Sequence, residues 1–259
     1  MKKALLVVSF GTSVPETREK TIFALERELA AAFPDRKFYR AWTSGVIRKK
    51  ILRTEGLDID SVHQALERMA ADGIEDLLVQ PTHLLDGEEN RLMTEAIQAA
   101  AGSFKTIAIG AALLATQEDI AALAQVMQEI SPELEDDELF AWMGHGSEEM
   151  KVNVYDALNG LFAARGCRNV VVGTVEFDPG VDIVLERIRA LQPRKTYLAP
   201  LMVVAGDHAI NDMAGQEDDS WRALAVKEGT VPVCILRGLG EYAAVRQLYV
   251  RHARDAKPL

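Results

Sequence analysis

Two histidines stand in similar settings, Met143-Gly144-His145-Gly146-Ser147 and Ala205-Gly206-Asp207-His208. Each follows an apolar run with the character of a buried strand, LFAWM before His145 and TYLAPLMVV before His208. Glycine leads into each, so the chain can turn sharply and expose an imidazole at a strand's carboxyl end. A third run of this kind, NVVVGTVE, ends on Glu176. Two imidazoles and a carboxylate delivered from three strand ends form a divalent-metal constellation. Without cysteine the set favours Co(II), Ni(II), Fe(II) or Zn(II) and leaves coordination positions open. The chain has only five histidines, so two in matching positions carry weight.

Each residue also has a plainer reading. His145 could hydrogen-bond loop backbone, but its glycine neighbours supply no side-chain packing. A neutral imidazole there can ligate a metal or accept a proton near neutral pH. His208 reads either as a surface group after an Asp207 helix cap or as a ligand whose ring Asp207 or Asp212 orients. Glu176 alone is a solvated loop acid; its nearness to the two histidine strands makes it a ligand candidate.

A second group of candidates lies earlier in the chain. Ser9-Phe10-Gly11-Thr12-Ser13 joins a strand to a helix and offers hydroxyls, flexible backbone and a helix N-terminus to an anion. It has neither GxGxxG nor a Walker lysine, so no nucleotide is expected. Trp42-Thr43-Ser44-Gly45 ends the next strand, followed by the basic cluster Arg48, Lys49, Lys50 and Arg53. That cluster is either a solvated helix face or a wall for carboxylates. His83, inside DLLVQPTHLL, reads as a core or pocket-wall histidine before a ligand. His63 and His252 fall on amphipathic helices and read as surface groups. No GxSxG, zinc-protease or cysteine-nucleophile motif is present.

The elements that position these residues alternate strand and helix throughout, which predicts parallel sheets with crossover helices. ALLVVSF precedes a helix from Pro15 through Phe33; KFYRAWT, DLLVQPTHLL and TIAIGAALL each precede another helix. The polar, acidic stretch 131–138 marks a boundary, predicting one lobe over 1–130 and a second over 139–259. The pattern then restarts: LFAWMGHGS answers ALLVVSFGTS, and KTYLAPLMVVAGDH aligns without gaps on DLLVQPTHLLDGEE, so that Glu89 falls on His208. Two α/β lobes of like topology follow, each a parallel sheet flanked by helices, with a ligand cleft expected between them. The closing helix, EYAAVRQLYVRHARDA, is free to pack back on the first lobe.

Composition narrows the function classes. The net charge is −10 in 259 residues, which argues against nucleic-acid binding and requires local positive potential for any anionic substrate. No apolar run approaches the ~18 residues of a membrane span, and Ala4 to Val8 after Lys2-Lys3 is too short for a signal peptide. Cys167 and Cys234 show no metal spacing, in keeping with a cytoplasmic protein. The composition is compatible with a homo-oligomer.

With GHG at 144–146, VEFDPGVD at 175–182 and LMVVAGDHAINDM at 201–213 in view, the chain resembles the anaerobic-pathway sirohydrochlorin cobalt chelatases, relatives of the protoporphyrin ferrochelatases. The resemblance runs from LLVVSFGTS and AWTSGVIRKK to GLGE at 238–241. It implies the bilobal chelatase fold, with cobalt on His145, Glu176 and His208 and His145 also taking the proton. The substrate, a flat apolar macrocycle edged with carboxylates, would then be held by Ser9, Phe10, Gly11, Thr12, Trp42, Thr43, Ser44, His83 and Glu89. The implied reaction inserts Co(II) into sirohydrochlorin without ATP, releasing two protons, in anaerobic cobalamin biosynthesis. Fe(II) insertion for sirohaem is the neighbouring alternative, and a non-catalytic metal- or tetrapyrrole-binding protein is the alternative from another class.

Overall fold

In β1 (Lys3–Ser9) every residue after Lys3 is buried, as expected of a strand covered on both faces by helices. The computed structural model, which describes residues 1–147 and 153–259, divides the chain into two units. Unit 1 is Met1–Ala115 with Ala243–Leu259, and unit 2 is Thr116–Tyr242. The division lies ahead of the helix α6 (Gln117–Ile130) and not in the acidic stretch that follows it.

Unit 1 is built on β1, β2 (Lys37–Trp42), β3 (Asp76–Pro81) and β4 (Thr106–Ile109). They pair in parallel in the order β2-β1-β3-β4, and β9 (Lys257–Pro258) adds an antiparallel edge on β4 that the sequence does not announce. Its helices are α1 (Pro15–Lys20), α2 (Ile22–Ala32), α3 (Gly45–Glu55), α4 (Val62–Ala71), α5 (Glu88–Ala99) and the C-terminal α10 (Ala243–Arg254). The single helix expected from Pro15 onward is broken at Thr21. There the hydroxyl bonds back to the Thr17 carbonyl at 2.6 Å, a competition that bends helices. One face of the sheet packs Ala4, Leu6, Val8, Leu77 and Val79 against Leu66 and Met69 of α4 and Ile97 of α5.

Helix α10 belongs to unit 1. Arg246 pairs with Glu28 of α2, and the buried Tyr249 donates to the Thr82 carbonyl at 3.0 Å. His252, read above as a surface group, is buried, its Nδ1 3.2 Å from the Ala111 carbonyl. The helix pattern misleads because α10 is covered on more than one side.

Unit 2 repeats the plan with β5 (Glu138–Gly144), β6 (Val170–Thr174), β7 (Lys195–Pro200) and β8 (Val231–Cys234), all parallel in the order β6-β5-β7-β8. Its helices are α6, α7 (Val154–Ala164), α8 (Asp182–Leu191) and α9 (Trp221–Lys227). The repeat extends to single hydrogen bonds beyond the strand ends. Thr43 and Ser44 N–H donate to the Ser9 and Phe10 carbonyls, as Val175 and Glu176 N–H donate to those of Gly144 and His145. Likewise Thr82 N–H donates to Val8, as Leu201 N–H donates to Met143. This frame sets Phe10 and Ser44 in unit 1 at the places that His145 and Glu176 take in unit 2, and the gap-free alignment puts Glu89 opposite His208.

Candidate metal centre

The central strand β5 is buried along its whole length and carries His145 one residue past its end. The carbonyl of His145 accepts the Glu176 N–H at 2.9 Å, so the two ligand candidates are locked in register by main chain. Gly146 holds φ +92°, and a Cβ there would lie 1.7 Å from the Glu176 carbonyl oxygen. Only glycine fits such a close approach in a left-handed conformation. The required freedom thus lies after His145. Gly144 is small for a different reason: a Cβ on it would come within 2.3 Å of the Tyr155 ring.

Tyr155, in the first turn of α7, is fully buried, and its hydroxyl accepts the Gly146 N–H at 3.2 Å. Burial raises its pKa, so the phenol stays neutral. Helix α7 is fixed in turn by Asn153, which caps it. Asn159 brackets the edge of β6 by donating to the Val172 carbonyl and accepting the Val172 N–H, both at 2.8 Å. Sequence reading misses Tyr155. Its only sign is an aromatic at the buried start of the helix after the site.

His208 is reached differently. Strand β7 stops at Pro200, short of the run TYLAPLMVV, because Met202 and Val203 turn away and their carbonyls accept N–H groups from Leu239 and Gly240. The histidine then opens a single π-helical turn, Ala209–Met213, a geometry found frequently at functional sites. Its Nδ1 lies 2.7 Å from Asp212 Oδ2. A carboxylate there accepts a hydrogen bond from Nδ1–H and leaves the Nε2 lone pair free for an ion. Of the two acids considered above, Asp212 holds the ring; Asp207 instead accepts the Asn211 amide at 3.0 Å.

The result is compact. His145, Glu176 and His208 each offer a donor atom, and these atoms all lie within 4.8 Å of one another. The two imidazoles meet edge to face with ring centroids 4.8 Å apart. His145 and Glu176 are exposed and His208 is half-buried, so an ion held here keeps open positions. Among the described residues no other group of histidine, cysteine or acidic side chains gathers in this way.

The other candidates all lie in unit 1. Phe10 is 48% exposed, and Glu89 is half-buried in the first turn of α5. Trp42 is fully buried, its ring against Gly11, whose φ is +105°; it shapes the loop from inside. Ser9 and Thr12 are buried, Ser9 taking a hydrogen bond from Thr82 at 2.8 Å and Thr12 one from Val14 N–H at 3.2 Å. Ser44 caps α3, and the Thr43 hydroxyl is buried without a partner. His83 is buried beyond the end of β3, its Nε2 unpartnered and its Nδ1 3.4 Å from Asn90. Desolvation pushes its pKa down to about 4. In the basic cluster Arg48 is engaged with the Ile59 carbonyl and Gln64. Lys49, Lys50 and Arg53 are exposed and, among the described residues, have no ion-pair partner. No helix of the described residues is long and apolar enough to cross a membrane.

The whole chain is similar to known proteins. The sirohydrochlorin cobaltochelatase of Salmonella typhimurium (strain LT2) is 41% identical over 256 residues, covering 99% of this chain and 97% of that protein. Sirohydrochlorin cobaltochelatase CbiKC of Nitratidesulfovibrio vulgaris is 27% identical over 258 residues, covering 98% and 90%. Two solved structures share the fold at 15% identity, each covered to 95% by 98% of this chain. They are SirB from Bacillus subtilis with Fe3+, at a TM-score of 0.65, and SirB from Bacillus subtilis subspecies spizizenii in complex with cobalt, at 0.62. The family model described as cobalt chelatase (CbiK) matches residues 3–257. This end-to-end match, with a relative 41% identical along nearly the whole chain, shows that the chain belongs to the cobalt chelatase (CbiK) family.

Proposed function

We propose that this protein inserts Co(II) into sirohydrochlorin without ATP, as the cobalt-inserting step of anaerobic cobalamin biosynthesis in the cytoplasm. The carrying observation is the trio of donor atoms within 4.8 Å of one another, with His145 and Glu176 exposed and His208 half-buried. Cobalt is here a substrate, so the site must hold it well enough to bind and loosely enough to release. Two imidazoles and one carboxylate with open positions meet both needs.

The reaction exchanges two pyrrole N–H protons for one divalent cation. Glu176 and His208 hold and deliver the ion, with Asp212 keeping the His208 ring turned toward it. His145, the more exposed imidazole, shares the ion. Once the macrocycle takes the metal and frees its ring nitrogen, His145 accepts one of the two protons, while the other passes to solvent, which the exposed site reaches. The peripheral carboxylates of the substrate need cations on a protein of net charge −10. Lys49, Lys50 and Arg53 of α3, exposed and without an ion-pair partner among the described residues, are suited to that task. The free thiols Cys167 and Cys234 suit a reducing compartment.

The test is a time course of metallated product from Co(II) and sirohydrochlorin, at enzyme concentrations far below substrate and without nucleotide. Many turnovers are expected. His145→Ala should slow insertion by ~10²–10⁴-fold, the usual contribution of a positioned proton acceptor, with an unchanged thermal midpoint. Binding of metal or tetrapyrrole without turnover would instead make the protein a carrier. The same assay with Fe(II) in competition reads out the metal preference.

A further inference from the structure

Phe177 occupies a backbone conformation that bulky side chains rarely adopt, with φ +62°. Its neighbours hold it there. The Phe177 carbonyl accepts the Thr174 hydroxyl at 2.9 Å, and the Thr174 N–H reaches across to the Pro179 carbonyl at 2.8 Å. Burial of the ring does not offset this strain, because Phe177 is 51% exposed. Glycine would satisfy the same turn with less strain and no exposed ring, so folding alone does not account for a phenylalanine here. Strain retained without a packing return is a sign of use.

The position suggests the use. Phe177 directly follows Glu176. On the other ligand-bearing loop, Ile210 stands two residues past His208 and is 40% exposed. Two of the three ligands thus have an exposed apolar side chain beside them in sequence, among the exposed acids Asp178, Asp207 and Asp212. A hydrated cobalt ion gains nothing from a phenyl ring. The one apolar reactant is the macrocycle, whose face is attracted to an aromatic surface while its carboxylate edges seek cations.

We propose that Phe177 is a specificity-determining contact for the tetrapyrrole, presenting its ring to the macrocycle beside Glu176, with Ile210 extending the apolar rim beside His208. This assignment rests on the chelatase reading above.

The experiment compares the unmodified full-length protein with Phe177→Gly and Phe177→Tyr. It measures the apparent KM for sirohydrochlorin, the Co(II) dependence, sirohydrochlorin binding to the metal-free protein by absorbance titration, the thermal midpoint and the oligomeric state. Phe177→Gly should raise the KM and weaken binding by roughly tenfold, leave the Co(II) dependence unchanged, and melt no lower than the unmodified protein because strain is relieved. Phe177→Tyr should restore both tetrapyrrole parameters. A ring that served stability would give the opposite melting result, and a glycine variant that melts lower or fails to fold overturns the proposal. So does a KM and affinity within about twofold of the unmodified protein. A change of oligomeric state with unchanged tetrapyrrole binding would assign the ring to an interface between copies, and would also overturn it. Absence of turnover and tetrapyrrole binding in the unmodified protein removes the chelatase reading and this assignment together. Normal turnover with an unmoved KM removes this assignment alone.

Discussion

At the scale of single residues the two candidate ligand histidines and His83 show how environment divides one side-chain type among tasks. His145 is exposed and His208 half-buried, so both stay within reach of solvent. His83 is sealed beyond β3, and burial pushes its pKa down to about 4. In an unfolded chain its imidazole titrates near ~6.5. As pH falls from there toward 4 the unfolded state gains a proton that the folded state refuses, so stability drops across that window. Above it the group costs nothing; below it the loss levels off, at most at about 3 kcal/mol. Replacing His83 by Gln should therefore flatten the pH dependence of stability between pH 4 and 6.5. Denaturant melts of both proteins across that range check this, and parallel curves would contradict it.

At the scale of elements, the site depends on contacts between a strand end, the neighbouring strand end and the helix that follows. The His145–Gly146 main chain is held from one side by Glu176 N–H and from the other by the Tyr155 hydroxyl. Removing that hydroxyl in Tyr155→Phe leaves the buried Gly146 N–H without this partner, a cost of about 1–3 kcal/mol, and loosens the loop carrying His145. Gly146→Ala should be worse, since its Cβ would strike the Glu176 carbonyl at 1.7 Å. Both variants are expected to weaken Co(II) binding, Gly146→Ala more than Tyr155→Phe, while a control in unit 1 such as Gly102→Ala, which has open space around it, does not. Isothermal titration with Co(II) checks the order.

At the scale of the whole molecule, a repeated frame carries an unrepeated site. Phe10 and Ser44 of unit 1 stand where unit 2 has His145 and Glu176, Glu89 aligns with His208, and two of the three cannot serve as metal ligands of the same kind. The chain is accordingly expected to bind one Co(II), a stoichiometry that equilibrium dialysis reads directly and that His145→Ala combined with His208→Ala should abolish. A second equivalent of similar affinity would show that unit 1 retains a site. Much of this is legible in the sequence alone. The apolar runs, their alternation with helical patterns, the restart after residue 138 and the placement of His145 and Glu176 just past strand ends are local properties, set by side-chain type and spacing. His208 instead follows a loop after β7 and opens a π-helical turn. What only the tertiary structure decides involves residues far apart along the chain. The sheet order β6-β5-β7 brings the three donor atoms together. Long-range packing seals Trp42 and His252 and returns α10 to unit 1. The choice of Asp212 over Asp207 is local in sequence, but it turns on a π-helical turn that no propensity announces. Periodicity records which face of an element is apolar; it does not record which neighbour covers that face, because that depends on how distant elements pack.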